Sequence, residues 1–229
     1  AWRKEWEAFV RPNFGKLTTP LRPEYVVDAL QKVLPDDAIL TCDSGVHHNW
    51  FMQFWRPKRA QSMLNSGGYS SMGFGVCSVM GAQLAAPERP CISVCGDGGF
   101  SMTPYVVATA VEYGLPCVWV VWNNFSWAAI RDIQVGMFGG RELGTAFYGE
   151  NKKPYNPDFA AWARACGADG VTITKSEDLA GALQQAIRNK RPCVLDVHVD
   201  AEVRPPSTGT WHLPPTPFKE PAFGKPWVA

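Results

Sequence analysis

The sequence predicts an α/β fold, an open and mainly parallel sheet flanked by helices. Short apolar runs alternate with segments of helical period across residues 23–200. Two of the apolar runs break off into polar turns, Gly96-Asp97-Gly98-Gly99 after 91–95 and Asn123-Asn124 after 117–122. Parallel strands end on one edge of a sheet, so these two turns are expected to meet there although they are far apart in the chain.

Each element has its own reason. Residues 1–22 carry Pro12 and Pro20, with Pro23 just beyond, and no sustained period, as an N-terminal linker would. The spacing of apolar residues predicts a helix over 25–33, then a strand at 38–42 and a short one at 62–65. A helix rich in small residues follows over 71–86, closed by Pro87, and then the strand at 91–95. A helix near 103–113 ends at Gly114 and Pro116, before the strand at 117–122. After a less regular stretch come a helix at 157–166, a strand at 170–174, a helix at 176–189 and a strand at 193–199. Residues 201–229 hold seven prolines and form a tail, whose Trp211, Phe218, Phe223 and Trp227 are expected to dock on a surface.

Composition excludes several classes. Lys and Arg number 22 against 21 Asp and Glu, which leaves no basic field for nucleic acid or an anionic membrane surface. No apolar stretch reaches a membrane-spanning length, and the charged start Ala1-Trp2-Arg3-Lys4-Glu5 does not read as a signal peptide, so a cytoplasmic location is expected. The seven cysteines form no Cys-x-x-Cys pair and read as reduced core residues, against an iron–sulfur or zinc site. Trp50, Phe51, Phe54 and Trp55 crowd one short run that reads either as core or as an interface.

The two polar turns carry the chemistry. A glycine-rich turn between a strand and a helix can aim the N–H groups of Gly98 and Gly99 at a phosphate. Asp97 and, 27 residues later, Asn124 offer one carboxylate and one amide oxygen. Such a pair suits Mg2+, which takes its remaining ligands from phosphate, backbone carbonyl and water.

The segment from GDG at 96–98 to the paired asparagines resembles the thiamine diphosphate (ThDP) binding motif. SGGYSSMGFG at 66–75, Gln53-Phe54-Trp55 and NPDFAAWARACGADG at 156–170 extend the resemblance over roughly 20–200. The similarity is to the cofactor-binding C-terminal domain of acetolactate synthase and its relatives among 2-oxoacid decarboxylases and carboligases. It implies the ThDP-binding fold, with ThDP and Mg2+ as cofactors. Asp97, Asn124 and the Ser126 carbonyl would hold the metal. Gly96, Gly98 and Gly99, with the N–H groups of Trp127 and Ala128 at the next helix start, would hold the diphosphate. Gly45 and one of His47 and His48 would touch it from the turn at 43–48. Met72 would wedge between the cofactor rings, with backbone atoms of Ser70 and Met72 meeting the aminopyrimidine edge.

The resemblance also implies a partner. An activating glutamate lies on a separate pyrimidine-binding domain or subunit in this family, so a homo- or hetero-oligomer is expected. The implied reaction makes or breaks a C–C bond of a 2-oxoacid or another small carbonyl substrate, with acetolactate-synthase-like carboligation first. A 2-oxoacid decarboxylase and a 2-hydroxyacyl-CoA lyase are the near alternatives, and a non-catalytic phosphate- or nucleotide-binding module is the alternative of another class. Two departures bear on substrate: Ile133 replaces a tryptophan that shapes acceptor preference, and Ala129 replaces a bulkier residue near the thiazolium.

Overall fold

The structure, a computed structural model, describes residues 4, 8 and 11–205. Among these, six parallel strands form one sheet: β1 (Ile39–Cys42), β2 (Met63–Asn65), β3 (Cys91–Gly96), β4 (Val118–Asn123), β5 (Asp169–Ile173) and β6 (Cys193–His198). Their order across the sheet is β2-β1-β3-β4-β6-β5, and every pairing is parallel. The chain steps outward from β1 to β2 and then returns to the other side at β3. That reversal leaves a crevice beyond the C-terminal ends of β1 and β3, the usual binding position in open α/β sheets.

Strand alternation divides the apolar residues between two faces. Ile92, Val94, Val118, Val120 and Trp122 join one buried cluster, while Cys91, Cys95, Trp119 and Val121 join the other. Helices α1 (Pro23–Val33), α2 (Val46–Phe54) and α8 (Ser176–Asn189) cover the first face. Helices α3 (Phe74–Ala85), α5 (Val106–Glu112) and α7 (Phe159–Ala165) cover the second. In α8 the buried residues Ser176, Leu179, Leu183 and Ala186 recur at helical spacing, and Glu177 and Asp178 favour its N-terminal dipole. The Asp158 side chain caps α7 by accepting the Ala161 N–H at 2.7 Å.

Several expectations are corrected. The turn expected at 43–48 is the start of α2, whose N-cap Gly45 adopts φ 148°. Trp50, Phe51, Phe54 and Trp55 are buried in the first cluster, so they are core and not interface. The helix expected from 71 begins at Phe74, because Gly73 before it has the left-handed φ of 87°. The helix expected near 103–113 is α5 (Val106–Glu112), and a separate short helix that was not expected, α4 (Asp97–Met102), precedes it, with Thr103 and Pro104 between the two. Proline lacks an N–H and disfavours helical geometry in the residue before it. The less regular stretch contains α6 (Ala128–Met137). Leu21, read as part of the linker, is fully buried and pairs with Val199 beyond β6. The aromatic tail residues Trp211, Phe218, Phe223 and Trp227 lie outside the described residues. Among the described residues, no helix is long and apolar enough to cross a membrane.

Two glycines separate packing from backbone entropy. A Cβ on Gly170 in β5 would stand 2.2 Å from the Ala160 carbonyl oxygen, whereas one on Gly181 in α8 would meet nothing within 4 Å. In urea unfolding, Gly170→Ala should lose roughly 1–3 kcal/mol by overpacking, and Gly181→Ala should gain about 0.4–1 kcal/mol.

Candidate functional site

Gly96 of β3 pairs with Trp122 of β4, so the residues that follow both strands emerge side by side. The Asp97 carboxylate, 1% exposed, is gripped there. Its Oδ1 accepts the Gly98 N–H at 2.8 Å, and its Oδ2 accepts the Ser126 N–H at 3.2 Å and the Asn156 amide at 2.8 Å. The Ser126 hydroxyl donates to Asn124 Oδ1 at 3.3 Å. Ser126 thus bridges the two expected side-chain ligands, while its carbonyl, the third expected ligand, takes part in neither bond. Burial nevertheless pushes Asp97 up to about 7, with the Asn156, Gly98 and Ser126 hydrogen bonds pulling the other way.

The paired asparagines have unlike tasks. Asn124 lines the cleft beside Asp97. Asn123 turns inward, donates to buried Asp196 at 2.9 Å, and accepts from Asn156 at 2.7 Å.

The glycines of the turn matter by what lies on them. A Cβ on Gly98 would stand 2.2 Å from the Trp127 indole, and one on Gly99 would stand 2.2 Å from Asp43 Oδ2. The Met72 methyl reaches within 3.5 Å of the same Gly98 position, so Trp127 and Met72 both sit over the turn. Two expected anion donors are committed elsewhere. The Gly98 N–H is spent on Asp97, and the Trp127 N–H donates to the Thr145 carbonyl at 2.8 Å. Gly96, Gly99 and Ala128 line the cleft.

On the β1 side, Gly45 and His47 line the cleft and His48 does not. A Cβ on Gly45 would meet the His47 ring at 2.7 Å. Burial holds His47 down to about 3, with His48 adding to the effect, so the ring is neutral at ordinary pH. Its Nε2 is buried without a partner, and a polar atom so placed calls for a ligand group. Ser70 stands in an exposed turn with φ 52° and does not line the cleft. Ala129 lines the cleft, but Ile133 does not.

Two structural residues escaped the sequence. Asp43, fully buried, accepts the N–H groups of Gly73 and Gly75 at 3.0 and 3.1 Å, and so caps α3 from β1. Asn156, 59 residues from Asp97, gives no spacing cue in the chain.

The site cleft is small, about 90 Å³, and a larger cavity of about 460 Å³ opens beyond Asn124 and Ser126. Volume alone favours the larger space; donor chemistry favours the smaller, which holds Asp97, the glycine turn and the orphaned His47 nitrogen. Among the described residues no cluster of three His, Cys, Asp or Glu side chains could cage a metal. One carboxylate, one amide oxygen and a nearby carbonyl instead fit a hard cation that arrives with phosphate oxygens of its own.

The family profile described as "Thiamine pyrophosphate enzyme, C-terminal TPP binding domain" matches residues 43–197, more than half of the chain. The chain belongs to this family. Thiamine pyrophosphate is ThDP, and the matched residues include those of the cleft that holds Asp97 and Asn124. YdaP of Bacillus subtilis (strain 168), named provisionally as a thiamine pyrophosphate-containing protein, is 36% identical over 206 residues, covering 90% of this chain and 34% of that protein. The acetolactate synthase large subunit of Corynebacterium glutamicum is 34% identical over 188 residues, covering 81% and 30% respectively. The chain therefore spans about a third of the length of these curated relatives. Among solved structures, a thiamine diphosphate-dependent 4-hydroxybenzoylformate decarboxylase of Rhodococcus jostii RHA1 matches with a TM-score of 0.73 at 24% identity, covering 82% of this chain and 34% of that one. That match establishes the fold.

A raised carboxyl pKa has a definite sign. Asp97 costs the metal-free fold nothing below its ordinary value of 3.8, and the penalty grows as pH climbs to about 7. A cation held by Asp97 must displace the proton, so its affinity should fall by up to about tenfold per pH unit below about 7 and level off above it. Calorimetry in buffers of different ionisation enthalpy should record close to one proton released per cation at about pH 6, and close to none at about pH 8.5.

Proposed function

We propose that this chain is the diphosphate- and cation-holding half of a ThDP- and Mg2+-dependent enzyme that makes or breaks a C–C bond beside the carbonyl of a 2-oxoacid. The observation that carries the reading is the meeting of Asp97 and Asn124 at one cleft, bridged by Ser126 and floored by Gly98. Acetolactate-synthase-like carboligation is the proposed reaction, supported by the acetolactate synthase name of a relative that covers most of the chain. Ala129 on the cleft wall leaves room for a bulkier carbonyl compound.

ThDP, when bound, supplies the electron sink next to the reacting carbonyl. The residues of this chain anchor and orient. Asp97, Asn124 and the Ser126 carbonyl hold Mg2+, and the N–H groups of Gly99 and Ala128, at the starts of α4 and α6, favour the diphosphate charge. His47 lines the same cleft, with its Nε2 unpartnered; a bound anion there would favour protonation of the ring and let that nitrogen donate. Met72, over Gly98, gives apolar support to the cofactor rings.

The mouth of the site is apolar: Met72, Trp127 and Ile130 line the cleft and are exposed. A pyrimidine-binding domain, from another part of the polypeptide or another subunit, is the proposed cover, and the assembly is a homo- or hetero-oligomer.

Calorimetric titration of the native assembly with ThDP, with and without Mg2+, tests the reading. Binding should require both components. Asp97→Ala should remove it, and so should Gly98→Ala, whose Cβ would enter the Trp127 ring. Ser126→Ala should cost about 1 kcal/mol or less, because only its hydroxyl is lost. ThDP binding that ignores both Mg2+ and the Asp97 substitution would sink the proposal. Native mass measurement should reveal the covering domain, and a 2-oxoacid supplied with a carbonyl acceptor should yield a carboligation product.

A further inference from the structure

Asn156 touches Asp97 and leaves that carboxylate with a particular set of open lone pairs. We infer that Asn156 is a positioning residue for cation selectivity: it holds Asp97 to coordination through one oxygen, and so favours small octahedral Mg2+ over larger Ca2+. This rests on the reading that the site takes ThDP with a divalent cation.

An ionised carboxylate has about four lone-pair sites on its two oxygens. Oδ2 of Asp97 spends both of its own, on the Ser126 N–H at 3.2 Å and the Asn156 amide at 2.8 Å. Oδ1 spends one, on the Gly98 N–H at 2.8 Å; the Phe125 N–H, which also favours the ionised carboxyl from nearby, is bonded to Asn123 Oδ1 at 3.3 Å, so Oδ1 keeps one lone pair for a cation. Removing the Asn156 bond would open Oδ2 as well.

The orientation of Asn156 is dictated by its neighbours. Its Nδ2 lies between two acceptors, Asp97 Oδ2 at 2.8 Å and Asn123 Oδ1 at 2.7 Å. Asn123 cannot turn over either, because its own Nδ2 donates to Asp196 Oδ1 at 2.9 Å. Reversing either amide would set oxygen against oxygen. The chain Asp196–Asn123–Asn156–Asp97 therefore ends with a donor locked onto Oδ2.

The two ions respond differently to such a lock. Ca2+ takes about six to eight oxygens and often binds a carboxylate through both, whereas Mg2+ demands near-octahedral geometry with about six short bonds. A bidentate carboxylate needs a free lone pair on each oxygen. With Oδ2 filled, that mode is closed and the octahedral one stays open.

The test compares wild type with Asn156→Ala and Asn156→Leu in the native assembly, titrating ThDP with either Mg2+ or Ca2+ as the sole divalent cation. Thermal melts of the cation-free proteins report whether each variant folds. The ratio of Ca2+-supported to Mg2+-supported ThDP affinity should rise by about ten- to a hundredfold in the variants, the range over which partners behind a metal ligand act. A purely structural role weakens both cations alike; an unchanged ratio in folded variants overturns the inference and leaves the parent reading standing. Wild type that binds ThDP with neither cation sinks both. Should neither variant fold, a crystal structure of wild type with ThDP and Ca2+ decides. Coordination by Oδ1 alone, with Oδ2 still on Asn156, upholds the inference, and a bidentate Asp97 overturns it.

Discussion

The in-register parallel pairing of β3 with β4 is the constraint on which the site depends. With Gly96 beside Trp122, Asp97 and Asn124 leave the sheet at the same edge and within reach of one bridging serine. A slip of one residue would exchange the two faces of a strand and carry one ligand inward. The core forbids it: Val118, Val120 and Trp122 pack on one face, Trp119 and Val121 on the other, and the Trp119 indole donates to the Val76 carbonyl at 2.9 Å. Hydrophobic patterning thereby sets the spacing of polar groups that contribute nothing to the pattern.

Around that edge the protein buries three carboxylates, Asp43, Asp97 and Asp196, each held by N–H donors. The hydrogen bonds to Asp97 come from amides, which carry no net charge, and burial outweighs them. An acid in that condition is poised for a positive partner, because a cation would relieve the desolvation that amides only moderate. The surrounding network fixes direction as well as charge. Asp196 orients Asn123, and Asn123 orients Asn156.

Much of this arrangement was legible in the chain. Period and turn chemistry located the six strands and most of the helices, and the strand-edge reading brought Asp97 together with Asn124. Local rules failed where tertiary contacts decide. The run Val46–Phe54 looks like a turn followed by loose aromatics until its face toward the sheet is known. The N–H groups of Gly98 and Trp127 look free in sequence, yet acceptors from Asp97 and Thr145 claim them. His47 and His48 are adjacent letters, and only the helix start at Val46 sends one into the cleft and the other away from it. Asn156 belonged to a recognisable stretch, but its bonds cross 59 and 33 residues, a separation no local pattern records.

The Gly75 carbonyl accepts two hydroxyls, from Thr41 at 2.8 Å and from Ser93 at 2.9 Å. Thr41 and Ser93 are lateral neighbours on β1 and β3, so the two contacts duplicate each other. Losing one hydroxyl leaves the carbonyl the other, whereas losing both strips it of both side-chain donors. Redundancy of this kind makes substitutions epistatic: removing the two hydroxyls together costs more than the sum of removing each alone.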